Sequence, residues 1–125
     1  MDSIGKMERI VEQTLLYDFY GELLTEHQKS IYEDFVLNDY SLSEIGEDRN
    51  ISRQGVYDII KRCDKLLNGY EEKLHLVQKF LMAKEQVAQI HHLASDMLKA
   101  DGDSAKVTDY LRQIENISNK ILEEM

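Results

Sequence analysis

The sequence contains no proline, no tryptophan and a single cysteine, Cys63. Without proline the chain lacks the residue that most strongly interrupts helices, and its apolar residues recur every three or four positions. One cysteine can form neither an internal disulfide nor a thiolate zinc cluster, so no oxidising compartment is required. These features predict an all-α protein in which Cys63 is a small buried side chain.

Long apolar runs are also missing, because no stretch approaches the roughly 20 residues that a membrane span needs. The acidic, polar N-terminal residues do not resemble the basic start and apolar stretch of a signal peptide. We therefore expect a cytoplasmic protein without membrane insertion. With 125 residues, the chain can form one core, or one compact domain with a helical extension.

Patterns for catalysis and metal binding are absent from the sequence. It has no phosphate-binding glycine loop, and no serine or cysteine nucleophile is paired with a base. His91 and His92 point about 100° apart on a helix, so they cannot chelate one metal as an i, i+4 pair does. The Asp101 to Asp103 loop lacks the later ligands of a calcium loop and predicts a helix-breaking turn. We therefore expect that the protein is not an enzyme and that it binds neither a metal nor a cofactor.

The acidic charge is unevenly distributed along the chain. A net charge of -9 argues against nonspecific coating of nucleic acid, which depends on Lys and Arg. Residues 41–65, however, carry five acids and five bases, and the acidic excess lies on either side of them. The bases of this segment form a stripe: Arg49, Arg53, Lys61, Arg62 and Lys65.

Helical spacing and capping patterns predict four helices in residues 1–69. The first runs from about Lys6 to Leu24, and its apolar stripe is Met7, Ile10, Val11, Thr14, Leu15, Phe19 and Leu23, widened by Leu16, Tyr17 and Tyr20. Capping boxes at Thr25 and Ser41 open the second and third helices. The second reaches about Leu37 and buries Ile31, Tyr32, Phe35 and Val36. The third stops at Asn50. Ser52 caps the fourth, which buries Val56, Ile59 and Ile60 and ends near Asn68 and Gly69.

Residues 70–125 predict a helical hairpin. One long helix extends from Tyr70 to about Lys99, and Asp103 or Ser104 caps a last helix. The first of these carries Leu74, Val77, Leu81, Ala88, Ile90, Leu93, Ala94 and Met97 as its apolar side. The last carries Val107, Leu111, Ile114, Ile117 or Ser118, Ile121 and Met125 at heptad-like spacing. The two stripes need a further partner surface, so we expect a dimerisation or packing element.

The segment from Ser41 to Leu67 meets the linked requirements of a helix-turn-helix. Two helices that cross steeply need a small residue at their closest approach, a turn residue four positions later, and apolar residues after the turn. The five positions are occupied in order by Gly46, Asn50, Ile51, Val56 and Ile59. The turn is therefore predicted at Arg49 to Ile51, and the recognition helix starts at Ser52.

This segment resembles region four of bacterial sigma factors over about Leu24 to Leu67. The matching residues are Ser52, Arg53 and Gln54 at the start of the recognition helix and Lys61-Arg62 near its end. The stretch from Leu16 to Gly21 and the helical C-terminal extension are similar instead to the YlxM-like family of small bacterial helix-turn-helix proteins, over nearly the whole chain. The combined resemblance implies a sigma-factor-region-four-like helix-turn-helix domain, residues 1–69, without a winged element, followed by a long C-terminal helical hairpin.

The resemblance implies a DNA-binding or regulatory protein. It also implies a link to the signal recognition particle pathway, because family genes neighbour the gene of its targeting GTPase. A homodimer is expected separately, because the hairpin exposes more apolar stripe than one small domain can cover and symmetric pairing is the commonest solution. In a major groove, the base edges would face Arg53, Gln54, Tyr57, Asp58 and Lys61. A second group would contact phosphates: Ser41, Ser43, Arg49, Arg62 and Lys65.

Four residues depart from the helix-turn-helix pattern. Gly46 replaces the usual alanine, Arg49 replaces an apolar residue, and Asn50 replaces the turn glycine. Gly55 lies in the first turns of the recognition helix. Because glycine in a helix costs about 0.5 to 1 kcal/mol relative to alanine, we expect both glycines to weaken the unit.

Two alternatives to DNA binding stay open on the sequence. The acidic surface favours a non-enzymatic protein-protein adaptor of the protein-targeting machinery. A basic stripe bound to the RNA of the signal recognition particle is an intermediate alternative.

Overall fold

The computed structural model describes residues 2–100 and 102–124, with side chains described from Glu8 onward. Six α-helices follow one another in these residues: α1 (Asp2–Tyr20), α2 (Glu26–Val36), α3 (Leu42–Arg49), α4 (Arg53–Leu74), α5 (Leu76–Lys99) and α6 (Ser104–Glu124). A short 3-10 turn, Gly21–Leu23, follows α1. The described residues contain no strand. The all-α prediction is confirmed.

Residues 1–77 and 78–125 form two compact units. In the first unit, α4 contacts α1, α2 and α3 and is therefore its central helix. Among the described side chains, the buried apolar ones all lie here: Leu16, Tyr17, Tyr20, Leu24, Ile31, Tyr32, Val36, Ile45, Val56, Ile60, Cys63, Leu67 and Val77. The apolar residues that were predicted to be buried on α2 and α4 are confirmed, although Phe35 and Ile59 are only partly buried.

The buried face of α1 differs from the predicted stripe. Ile10, Val11, Phe19 and Leu23 are exposed, whereas the flank that includes Tyr17 and Tyr20 is buried. The reason is that these two hydroxyls reach acceptors on other helices. The Tyr17 hydroxyl donates to Glu33, and the Tyr20 hydroxyl donates to Glu71 at 2.6 Å. Met7, which was also predicted in this stripe, lies outside the residues whose side chains the structure describes.

Local capping signals are confirmed at three helix starts. Thr25 and Gln28, and likewise Ser41 and Glu44, exchange both hydrogen bonds of a capping box. The Ser52 hydroxyl accepts from the Gly55 N–H at the start of α4. Each of these bonds satisfies a backbone donor that the first helical turn leaves unpaired.

The predicted end of the fourth helix near Asn68 and Gly69 is wrong, because α4 continues to Leu74. The helix breaks instead at His75, whose φ is 55°. There Tyr20, more than fifty residues away, fixes the junction. Its hydroxyl oxygen accepts from the Leu76 N–H at 3.1 Å, and Glu71 Oε1 accepts from the Val77 N–H at 3.0 Å. These bonds satisfy the first donors of α5.

The second unit is a hairpin of two helices, as predicted, but the first of them, α5, begins at Leu76 and not at the predicted Tyr70. Gly102, with φ of +83°, lies in the turn, while Asp101 and Met125 lie outside the described residues. Asp103 Oδ1 accepts from the N–H groups of Ala105 and Lys106, which confirms it as the cap of α6. Gln86 of α5 donates to Glu124 of α6 at 3.3 Å. No described helix of the chain is long and apolar enough to cross a membrane.

Candidate nucleic-acid interface

The crossing of α3 and α4 depends on the absence of a side chain at Gly46. A Cβ atom there would lie 2.5 Å from the backbone carbonyl oxygen of Ile51. The Gly46 carbonyl accepts hydrogen bonds from the N–H groups of Asn50 and Ile51, and Asn50 adopts a left-handed φ of 57°. The expectation that Gly46 weakens the unit is therefore wrong, since even alanine would displace the turn. The roles predicted for Gly46 and Asn50 are confirmed.

The structure places nine of the ten predicted contact residues at exposed positions. Ser41 and Ser43 lie at the start of α3, and the others lie on α4: Arg53, Gln54, Tyr57, Asp58, Lys61, Arg62 and Lys65. Val56, Ile60 and Cys63 of the same helix are buried. Because these three anchor the helix in the core, the charged residues between them are held outward.

Two contacts within α4 orient side chains of this surface. The Gln54 side-chain amide donates to Asp58 Oδ1 at 3.0 Å. The Lys61 ammonium lies 5.6 Å from the centre of the Tyr57 ring, in a cation–π arrangement. Pairs one turn apart on a helix stabilise each other modestly, so these four side chains are partly preorganised.

Arg49 is placed differently from the other nine residues. Its guanidinium donates to Asp34 Oδ2 and to the Ser30 hydroxyl, both at 2.7 Å. These bonds tie the end of α3 to α2, and the Arg49 side chain is only 24% exposed. The arginine therefore replaces the apolar residue of the usual pattern with an interhelical ion pair. Its contact with phosphate stays a prediction.

Acidic residues lie next to the predicted contact surface. On α3, Glu44, Glu47 and Asp48 are exposed. Glu44 accepts from the Ser41 N–H in the capping box, whereas Glu47 lines a shallow depression shared with Ser43 and Arg53. A phosphate that approaches α3 would meet this negative charge, so the α4 side is electrostatically the more favourable approach.

The structure adds Arg9, which was not among the residues predicted from the sequence. Arg9 of α1 lines a groove of about 320 Å³ together with Lys61 and Lys65 of α4, and Glu12 is the exposed acid of this groove. Three cations from two helices thus share one depression. Sequence spacing could place Arg9 on a face of α1, but which α4 residues lie opposite depends on tertiary packing.

The buried polar groups near this surface are structural. Asp64 accepts from Tyr32 at 2.5 Å and from the Gln13 amide at 3.0 and 3.2 Å, which joins α1, α2 and α4. Burial raises the pKa of the Cys63 thiol to about 11, so it stays protonated at neutral pH, as the predicted packing role requires. Among the described residues, no cluster of three His, Cys, Asp or Glu side chains could hold a metal.

Comparisons with known proteins agree with this geometry. The profile of the UPF0122 family, described as "Putative helix-turn-helix protein, YlxM / p13 like", matches residues 7–120. A UPF0122 protein of Acetivibrio thermocellus is 45% identical over 119 residues, which cover 94% of this chain and 99% of the relative. A UPF0122 protein of Bacillus velezensis is 40% identical over 111 residues, which cover 89% of this chain and 97% of the relative. A UPF0122 protein of Listeria monocytogenes serotype 4b is 40% identical over 110 residues, which cover 88% of this chain and 97% of the relative.

Proposed function

Because the chain belongs to the UPF0122 family of helix-turn-helix proteins, we propose that it binds double-stranded DNA through α3 and α4 as a regulatory protein. The observation that carries this proposal is the exposure of four cations of α4, Arg53, Lys61, Arg62 and Lys65, with Asp58 as the acid among them. A recognition helix needs exposed side chains of both kinds, polar groups for base edges and cations for phosphates.

The roles of individual residues follow from their positions on α4. Arg53 and Gln54, at the N-terminal end, are the first to reach base edges, where arginine pairs with guanine and glutamine with adenine. Tyr57 packs on a sugar or a thymine methyl group. Lys61 reaches base edges one turn further along, Arg62 and Lys65 neutralise phosphates, and Arg9 extends this cationic surface onto α1.

The experiment measures binding to a labelled random duplex by fluorescence anisotropy across a salt series. We compare wild type with the Arg53→Ala/Lys61→Ala variant. The expected result is a weaker affinity of the variant at low salt, because it loses two cations of α4, and a difference from wild type that shrinks as the salt concentration rises.

The control is Lys106→Ala/Arg112→Ala, which removes the same two charges from exposed positions on α6. If this control loses as much affinity as the α4 variant, net charge and not the α4 surface determines binding. If the wild-type protein does not bind duplex DNA at low salt, the proposal is wrong.

The second candidate function is a non-enzymatic adaptor of the protein-targeting machinery. The net charge of -9 and the exposed acids of α3 favour it, because both disfavour a polyanionic ligand. We add signal recognition particle RNA to the salt series as a further probe. Binding of that RNA in preference to the duplex would support an RNA-binding role in the pathway. Binding of neither nucleic acid would favour the adaptor.

We further propose that the helical hairpin pairs with a second copy of the chain. Large apolar side chains of the second unit are exposed, among them Leu98 at 85% and Leu122 at 70%. Symmetric pairing is the commonest way in which soluble proteins cover such side chains. Two recognition helices would then contact two half-sites about 34 Å apart.

A further inference from the structure

Beside the proposed nucleic-acid surface, the first unit contains an apolar cavity of about 350 Å³ between α1 and α4. Its apolar lining comes from four helices: Ile10 of α1, Phe35 of α2, Leu42 of α3, and Tyr57 and Ile60 of α4. Ile60 is buried, whereas Ile10 and Tyr57 are exposed. The cavity therefore has a buried base at Ile60 and is open to solvent beside Ile10 and Tyr57. A volume of this size is typical of small-molecule sites. We call it the α1–α4 cavity.

The charged residues that line the α1–α4 cavity favour an anion. Arg9 and Lys61 line it, and neither forms an ion pair with the described side chains. The third charged residue is Asp64, whose oxygens already accept hydrogen bonds from Gln13 and Tyr32. These neutral donors stabilise the Asp64 carboxylate without cancelling its charge, so the cavity is lined by two exposed cations against one partly buried carboxylate.

We propose that the α1–α4 cavity binds a small amphipathic acid, a carboxylate that carries an aliphatic chain. The chain lies against Ile10, Phe35, Leu42 and Ile60, and burial of this apolar surface provides most of the affinity. The carboxylate stays near solvent between Arg9 and Lys61. A neutral compound of the same shape loses the ion pairs, and a cationic one meets repulsion from both residues.

Binding of the acid is coupled to binding of nucleic acid, an inference that rests on the proposed function. Tyr57 and Lys61 line the cavity and also lie on the predicted contact surface of α4. An acid that pairs with Lys61 removes one cation from that surface. The acid therefore weakens duplex binding, and duplex DNA weakens acid binding by the same factor.

The first experiment uses the full chain without nucleic acid and octanoate as the probe, below its micelle concentration. Two-dimensional 15N–1H NMR follows amide shifts during titration, with octanamide and octylamine as matched neutral and cationic compounds. We expect saturable shifts at residues that line the cavity, with affinity in the order octanoate, octanamide, octylamine. Equal affinity for octylamine, or shifts confined to residues 78–124, would overturn the proposal.

Two variants distinguish binding at the α1–α4 cavity from nonspecific hydrophobic binding elsewhere on the protein. Arg9→Gln/Lys61→Gln is expected to bind octanoate about fivefold more weakly, in keeping with two exposed ion pairs, and to bind octanamide unchanged. The control Lys106→Gln/Arg112→Gln, on α6, keeps the wild-type affinity for octanoate. Unfolding midpoints of all variants are measured to verify that they fold. An unchanged affinity of the Arg9→Gln/Lys61→Gln variant would overturn the assignment of the carboxylate position.

The second experiment repeats the duplex titration with and without saturating octanoate. A lower duplex affinity in the presence of octanoate supports the coupling. If octanoate binds the cavity and duplex affinity does not change, the coupling is wrong although the binding site stands. If no duplex binds under any condition, the proposed function fails while the first experiment still decides the cavity.

Discussion

At the residue scale, two glycines of this chain have opposite consequences for stability. A Cβ at Gly46 would meet the Ile51 carbonyl oxygen, which is backbone and cannot rotate away. A Cβ at Gly69, inside α4, would meet nothing within 4 Å. The effect of a glycine on stability therefore depends on its surroundings more than on its intrinsic helix propensity.

We predict that Gly46→Ala lowers the free energy of unfolding by about 1 to 3 kcal/mol, because the third and fourth helices must separate at the turn. Its matched control, Gly69→Ala, is expected to raise that free energy by about 0.5 to 1 kcal/mol. Urea unfolding followed by circular dichroism measures both. A neutral Gly46→Ala variant would show that the close crossing is not required.

At the element scale, the junction between α4 and α5 is held by a distant tyrosine. The Tyr20 hydroxyl donates to Glu71 and accepts from the Leu76 N–H, and burial, followed by the bond to Glu71, raises the Tyr20 pKa. Tyr70 packs its ring 6.0 Å from that of Tyr20, but its hydroxyl makes no hydrogen bond to the described residues. The pair offers a comparison of two tyrosines in the same cluster.

We predict that Tyr20→Phe destabilises the chain by about 1 to 3 kcal/mol, because the mutation leaves the Leu76 N–H without its acceptor. Tyr70→Phe is expected to change stability by less than about 0.5 kcal/mol. Hydrogen exchange at the Leu76 and Val77 amides should accelerate in the first variant only. Equal exchange in both variants would contradict the role of the hydroxyl.

The sequence predicted those elements whose signals are local. Ser41 and Glu44 stand three residues apart, and Asn50 needs only its own backbone freedom, so the ends of α3 followed from spacing alone. The end of α4 did not, because Tyr20 and Glu71 meet only after α1 packs on α4. The same reason applies to the site. Periodicity placed Arg53 and Lys61 outward, whereas the position of Arg9 beside Lys61 required the tertiary structure.

At the scale of the whole molecule, the buried apolar residues are confined to residues 1–77, and none of the described residues 78–124 is fully buried. A unit that holds its own core can fold alone, whereas a two-helix segment without one needs further contacts. The exposed leucines of α5 and α6 are consistent with the proposed pairing of two chains.

We predict that a chain truncated after Val77 unfolds cooperatively and sediments as a monomer, while the full chain sediments as a dimer. Sedimentation velocity and thermal circular dichroism measure the two properties. A monomeric full chain at micromolar concentration would contradict dimerisation through the hairpin. A truncated chain without a cooperative transition would show that the hairpin contributes to the first core.

The burial of the Cys63 sulfur has a practical consequence for site-specific labelling of the protein. Since the chain has no other cysteine, and this one is fully covered and protonated at neutral pH, maleimide reagents should leave the folded protein unmodified. A cysteine introduced at an exposed position, such as Asp58 or Leu122, would then be the sole labelled site. Spin or fluorescence labels at these two places would report distances without first deleting a native thiol.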